Sequence, residues 1–266
     1  MGKTIAFVWF LTMMTISLQG QTVHKQHLSV GGVAVDIIEP TQAMRGDMLI
    51  LPGWNFAKER WCNESSLCTK ALAQGYRLIL PEMHKSIYAE RYFPETRQDW
   101  RNEPTLPWLT DTLIPYLQKE YNIFTTGRNY VVGLSTGARG VVLCCIKTGH
   151  FFKAGAALSG DYDQTTMPND NLMRGFYGPY EKFADRWKNC DNPTTWINQL
   201  QTPIYFGHGM KDKVVPPAQT TVFYNKLTRL DSLSGHQLHC DDNAGHDFKY
   251  WDSEVDAILD FFAKHQ

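Results

Sequence analysis

Apolar residues along the chain fall into short continuous runs separated by segments in which they recur every three or four positions. The runs HLSV (27–30) and VAVDII (33–38), joined through Gly31 and Gly32, predict a hairpin. DMLIL (47–51), YRLIL (76–80), YVVGL (130–134), AGAAL (154–158), PIYFG (203–207) and HQLHC (236–240) predict six further strands. Several are apolar throughout, as strands are when helices cover both faces of a parallel sheet. The first two are expected as antiparallel edges. Between the strands, residues 65–74, 109–121, 136–147, 217–230 and 253–264 place apolar side chains at helical intervals. In the last of these, Val255, Ile258, Leu259 and Phe262 share one face. Alternating strands and helices imply a right-handed, doubly wound, mostly parallel α/β sheet of about eight strands flanked by helices, in one domain.

Two stretches break the alternation. Residues 82–104 and 161–200 each follow a strand and show no sustained period. Long excursions at the carboxyl ends of parallel strands are where open sheets build ligand sites. Both are expected to wall a pocket, with 161–200 as an insertion that covers it.

Composition narrows the function classes. The 266 residues are 43% hydrophobic and carry 26 Lys+Arg against 27 Asp+Glu, a formal net charge of -1. With no basic run, nothing gathers a phosphate backbone, so nucleic-acid binding is not expected. At the N-terminus, Lys3 precedes an uncharged apolar run from Ile5 to Leu18. The run is short of the roughly 20 residues that cross a bilayer, so residues 1–20 read as a secretory signal peptide with a mature start near Gln21. An uncleaved membrane tether is the alternative. Either way the expected location is secreted or periplasmic, where thiols can pair. Cys62 and Cys68 lie close in WCNESSLC, Cys190 and Cys240 remain as a long-range pair, and Cys144 and Cys145 fall in a buried helix as small hydrophobes. No cysteine or histidine spacing matches a closed zinc site.

The candidate chemistry centres on VVGLSTGARGVV (131–142), where Gly133, Ser135 and Gly137 have the G-x-S-x-G spacing of a nucleophile at a sharp strand-to-helix turn. A serine nucleophile needs a base and a carboxylate to orient that base. Counting strands, Ser135 ends the fifth, Asp212 lies in the loop after the seventh, and His246 in the loop after the eighth. That order of serine, acid and histidine is the one this architecture uses. Asp161, after the sixth strand, is the alternative acid. The oxyanion donors are expected to be the backbone N–H of Thr136, at a helix start, and that of Trp54, in the loop after the third strand. His208 reads as a structural loop residue, and Glu82 and His84 as loop residues that could approach the mouth. Among Trp54, Trp100, Trp187 and Trp196, only Trp54 is expected in the pocket.

GLSTGARG (133–140), LSGDYD (158–163), GFYGPYEKFADRW (175–187), HGMKDKVVP (208–216) and AGHDFKYW (244–251) together resemble the α/β-hydrolase superfamily, over roughly residues 45–264. The second half is similar to the esterase D and S-formylglutathione hydrolase branch and to secreted acetyl and feruloyl esterases of carbohydrates. The resemblance implies a serine esterase without metal or organic cofactor, with the family's nucleophile, acid and base at Ser135, Asp212 and His246. It further implies a small-molecule or polysaccharide ester as substrate, an acetyl or hydroxycinnamoyl ester on a plant polysaccharide. The chain departs from many relatives in having Pro52-Gly53 where they have His-Gly, and Gly137-Ala138 where they have Gly-Gly.

Overall fold

A computed structural model describes residues 13–18, 21–230 and 235–266. Its strands are β1 (Met13–Leu18), β2 (Gln21–Val30), β3 (Val33–Ile38), β4 (Gly46–Leu51), β5 (Tyr76–Pro81), β6 (Asn129–Leu134), β7 (Ala154–Leu158), β8 (Ile204–Gly209) and β9 (Gln237–Asp241). They form one sheet in the order β1-β2-β3-β5-β4-β6-β7-β8-β9. The pairings β1/β2, β2/β3 and β3/β5 are antiparallel, and every pairing from β5 to β9 is parallel. The eight strands expected from the runs are present. The ninth, β1, comes from the end of the apolar leader and pairs with β2, while the first twelve residues of that leader lie outside the described residues.

Strand alternation divides the core in two. Leu49, Leu51 and Val131 face one layer, which holds α3 (Ile114–Tyr121), α4 (Thr136–Thr148) and α7 (Ala218–Leu230). Met48, Ile50, Tyr130 and Val132 face the other, which holds α1 (Arg60–Glu64), α2 (Leu67–Ala73), α8 (Phe248–Ser253) and α9 (Val255–Lys264). The period of two along each strand therefore buries both of its faces. Val255, Ile258, Leu259 and Phe262 are all buried, as their spacing predicts, and Phe261 joins them. Among the described residues no helix is long and apolar enough to cross a membrane.

The winding also fixes where a ligand can sit. From β4 the chain crosses to β5 on one side, then to β6 on the other. Loops that diverge at such a reversal leave a crevice at the carboxyl ends of the strands. Here those loops begin at Pro52 and at Ser135. The excursions meet above the crevice. Residues 161–200 contain α5 (Asn171–Tyr177) and α6 (Tyr180–Asn189), and with Ile87, Ala89 and Trp100 of 82–104 their Met173, Phe176, Tyr177 and Trp187 form a separate apolar cluster.

Cys62 and Cys68 form a disulfide. Cys190 and Cys240 are free, which corrects their expected pairing: Cys190 packs against the apolar cluster of the excursions, whereas Cys240 lies on β9 at the edge of the sheet. Cys144 and Cys145 are buried in α4 as expected.

Candidate active site

At the end of β6 the chain turns into α4 through Ser135, whose φ of 55° and ψ of -126° are rarely adopted by a residue with a side chain. Such a conformation costs about 1–3 kcal/mol and persists only where the surroundings enforce it. Here they do. The Ser135 N–H donates to Leu158 O at 2.8 Å, and no side chain fits on either flank of the turn. A Cβ on Gly133 would lie 2.4 Å from Gly137 O, and one on Gly137 would lie 2.4 Å from Leu51 O. Strand, helix and the β4 loop thus approach to backbone contact, and Ser135 is left 9% exposed at the apex.

Two loops bring partners to it. Ser135 Oγ is 3.0 Å from His246 Nε2, and His246 Nδ1 is 2.6 Å from Asp212 Oδ2. The carboxylate can only accept, so Nδ1 carries the hydrogen and Nε2 presents its lone pair to the serine hydroxyl. The ring is further held edge-on against Trp251, 5.1 Å between centroids. Asp212 is fixed from its other oxygen, where Oδ1 accepts the N–H groups of Val214 at 2.8 Å and Val215 at 2.9 Å.

A second histidine reaches the same carboxylate. His208 is fully buried, and its Nε2 lies 3.2 Å from Asp212 Oδ2 and 3.1 Å from Val215 O, while Nδ1 is 2.7 Å from Thr220 Oγ1. Both neighbours of Nε2 are acceptors, which puts the hydrogen on Nε2 and lets Nδ1 accept from the threonine. Burial opposes ionisation of Asp212, but the hydrogen bonds from His208, His246 and Val215 outweigh it and hold the carboxyl well below the usual carboxylate range. His208 stands on β8 rather than in a loop, which corrects its expected place.

The Trp54 N–H lies on the loop after β4 and the Thr136 N–H in the first turn of α4, and neither donates to another described residue. Their neighbours are committed: Asn55 N–H donates to His84 O at 2.7 Å, and Phe56 N–H to Gly53 O at 3.2 Å. Tyr88 Oη donates to Pro52 O at 2.7 Å, bracing the same loop from below. Glu82 Oε2 accepts Lys58 N–H at 3.3 Å. Glu82 and His84 therefore support the loop and do not line the cavity.

A cavity of about 370 Å³ opens onto Ser135 and Thr136. Trp54, Arg97 and Trp100 form part of its wall, Met167 with Asp170 to Met173 another, and Val214 and Val215 a third, close in sequence to Asp212. Both excursions contribute residues to this wall. Trp100 shares the wall with Trp54, an edge-to-face pair at 4.7 Å, and this corrects the expectation that Trp54 alone enters the pocket. Trp187 is buried in the cluster above, and Trp196 packs on the main core.

Asp161 also lines the cavity, but its partner is Arg139 of α4, Nη1 to Oδ2 at 2.8 Å, and not His246. The alternative acid is therefore engaged elsewhere. Arg139 is fully buried and extends its fork to Gln164 Oε1 at 3.0 Å, Tyr177 Oη at 3.1 Å and Asp191 O. It ties the helix behind the serine to the whole 161–191 excursion. Burial pushes the carboxyls of Asp161 and Asp191 upward despite this cation, Asp191 to about 6.

The sheet, the elbow and the hydrogen-bonded array of serine, histidine and aspartate define an α/β-hydrolase with the site of a serine hydrolase. A model of the prolyl oligopeptidase family matches residues 112–266, more than half of the chain, and the chain belongs to that family. Among solved structures, an S-formylglutathione hydrolase from Agrobacterium tumefaciens is similar at TM-score 0.74 and 12% identity, over 95% of this chain and 98% of its own. The fluorophosphonate-binding serine hydrolase F (FphF) of Staphylococcus aureus is similar at TM-score 0.67 and 14% identity, over 95% of this chain and 98% of its own. Acylaminoacyl peptidase from Pyrococcus horikoshii gives TM-score 0.68 and 12% identity over 92% of this chain, which spans 42% of that longer protein. At such identities the likeness is one of fold. No curated protein matches in sequence.

Proposed function

We propose that the protein is a secreted serine esterase. Ser135 Oγ attacks the ester carbonyl as His246 Nε2 takes its proton, and Asp212 holds the ring and stabilises the imidazolium. Negative charge developing on the carbonyl oxygen is met by the N–H groups of Trp54 and Thr136, the latter at the positive end of the 13-residue α4. Collapse of the intermediate expels the alcohol, which takes its proton from His246. Water, activated by the same imidazole, then releases the acid and restores Ser135. The observation that carries this reading is the unbroken line of hydrogen bonds from Ser135 through His246 to Asp212.

The leader supports export as part of the proposal, and the resemblance to secreted carbohydrate esterases supports an acetyl or hydroxycinnamoyl ester as substrate. Family membership favours a second reading, a serine peptidase, since the same site can transfer an acyl group from an amide. Side-by-side turnover of p-nitrophenyl acetate and a proline-ended p-nitroanilide separates the two. The proposal expects faster cleavage of the ester and its loss in Ser135→Ala. Cleavage of the anilide alone would establish the peptidase.

A further inference from the structure

Two neighbouring strands end in a serine with a left-handed backbone. Ser135 ends β6, and Ser159 follows β7 directly, each with φ of 55°. Ser159 is completely buried and is not part of the array of serine, histidine and aspartate. Glycine would take this conformation without strain because it has no Cβ to clash. A strained side chain at such a place points to a use for the group that it carries. Here that group is a hydroxyl, and its Oγ accepts the indole N–H of Trp251 at 3.1 Å.

Trp251 is itself buried, in α8, and its indole lies where the parts of the site meet. It stands edge-to-face with His246 at 5.1 Å and 83°, and with Phe248 at 4.9 Å and 87°. Its centroid is also 6.5 Å from that of Phe56, in the loop that carries Trp54. The contact with His246 supplies a constraint that hydrogen bonding leaves out. Asp212 holds the imidazole at Nδ1 alone, and a single hydrogen bond permits the ring to swing about its own axis. Such a swing would carry Nε2 away from Ser135 Oγ, and the indole stands against it. The indole in turn is oriented by its only polar group, a donor that is costly to bury without an acceptor. Ser159 supplies the acceptor from a fixed backbone. Its own N–H donates to Gly207 O of β8 at 2.8 Å, and the carbonyl before it, Leu158 O, accepts the Ser135 N–H at 2.8 Å. The strand end that holds the nucleophile thus also fixes the ring that flanks the base.

We infer that Ser159 is a positioning residue: through the hydrogen bond to the Trp251 indole it keeps His246 Nε2 aligned on Ser135 Oγ. This rests on the reading of His246 as the base and not on which ester is cleaved.

Ser159→Gly tests it, because the substitution removes the hydroxyl and relieves the backbone at the same time, so that folding is spared while the indole loses its acceptor. In the full chain, kcat on p-nitrophenyl acetate is expected to fall about tenfold to a hundredfold, the scale of a small misplacement of a catalytic group. KM should stay within about twofold, and phosphonylation of Ser135 by a fluorophosphonate should slow by the same factor as kcat. Ser159→Ala, which keeps the strain, should show the same loss. Trp251→Phe keeps a ring without the N–H; adding Ser159→Gly to it should lower kcat by less than about twofold more, since the two side chains act as one unit. Wild-type kcat and labelling in folded Ser159→Gly or Ser159→Ala would overturn the inference, and so would a lower urea midpoint with kcat unchanged, which makes Ser159 a residue of the fold alone. Losses that multiply in the double variant overturn it too, because Ser159 then acts by a route other than Trp251. Folded wild type in which Ser135 is not labelled removes the base and nucleophile themselves, a failure distinct from that of the link to Ser159.

Discussion

Asp212 and Asp161 follow neighbouring strands, β8 and β7, and both are almost completely buried, yet they sit in opposite surroundings. Asp212 belongs to the floor of the site, where two backbone N–H groups and two histidines supply donors from every side and keep the carboxyl ionised. Asp161 belongs to the roof, where it pairs with Arg139, whose guanidinium also donates to the backbone carbonyl of Asp191, and burial pushes the carboxyls of both aspartates upward. The floor holds a charge ready for an imidazolium. The roof uses a charge to clamp a loop. A buried aspartate at a strand end is therefore not sufficient to mark the acid of a hydrolase; the donors around it decide.

Breaking the floor is expected to have the largest effect. Ser135→Ala and Asp212→Asn should each lower ester turnover on the order of 10⁴-fold or more, the latter because the wrong tautomer of His246 then faces the serine. Initial rates on p-nitrophenyl acetate, with circular dichroism as the folding control, measure this; a loss below about tenfold in Asp212→Asn would return the acid's role to Asp161.

Breaking the roof should act on stability instead. Arg139→Met leaves the Asp161 carboxylate buried without its cation and the Asp191 carbonyl without its donor, and is expected to cost about 3–5 kcal/mol, the usual penalty for removing one partner of a buried pair. Urea unfolding measures it. A cost under 1 kcal/mol would mean that the clamp is not needed to hold the excursion.

The two regions should also respond to pH with opposite sign. Asp212, held below its ordinary 3.8, contributes stability that is fully present above that value and is lost as pH falls beneath it. Asp191, raised from 3.8 to about 6, is protonated in the fold while already ionised in the unfolded chain across that interval. Unfolding there releases a proton, so its contribution falls as pH rises from about 4 to about 6. Thermal unfolding of wild type and Asp191→Asn between pH 4 and pH 7 should show the advantage of the wild type shrinking as pH rises. An advantage that stays constant would remove the burial argument for Asp191.

The smallest effect sharpens the floor. His208→Leu deletes one donor to Asp212, concentrates the negative charge on His246 and should move the acid limb of the kcat/KM profile to higher pH, with turnover lowered several-fold. His208→Gln, which restores an N–H, should bring the limb back.

The same contrast explains what could be read from the residues alone. Floor residues follow strands, and strands announce themselves by apolar runs, so Ser135, Asp212 and His246 could be ordered without coordinates. The close packing at Gly133 and Gly137 follows from the same turn. The roof has no period. Arg139 looks like one more residue of a helix, because its partners Asp161, Gln164, Tyr177 and Asp191 come from a segment whose short helices are arranged by tertiary contact. Trp100 was hidden likewise, since only the folding of 82–104 against α5 brings it beside Trp54. His208 carried one faint signal, its position four residues before the acid; from the strand end that spacing lets its ring reach Asp212.

In the proposed mechanism the Ser135 hydroxyl is made nucleophilic by His246 and Asp212. Treatment of the folded protein with a fluorophosphonate, followed by peptide mass spectrometry, tests it most directly. One adduct is expected, on Ser135, formed rapidly in the wild type and at least about a hundredfold more slowly in Asp212→Asn. An unlabelled Ser135 in folded wild type, or labelling at the same rate in both proteins, would contradict it.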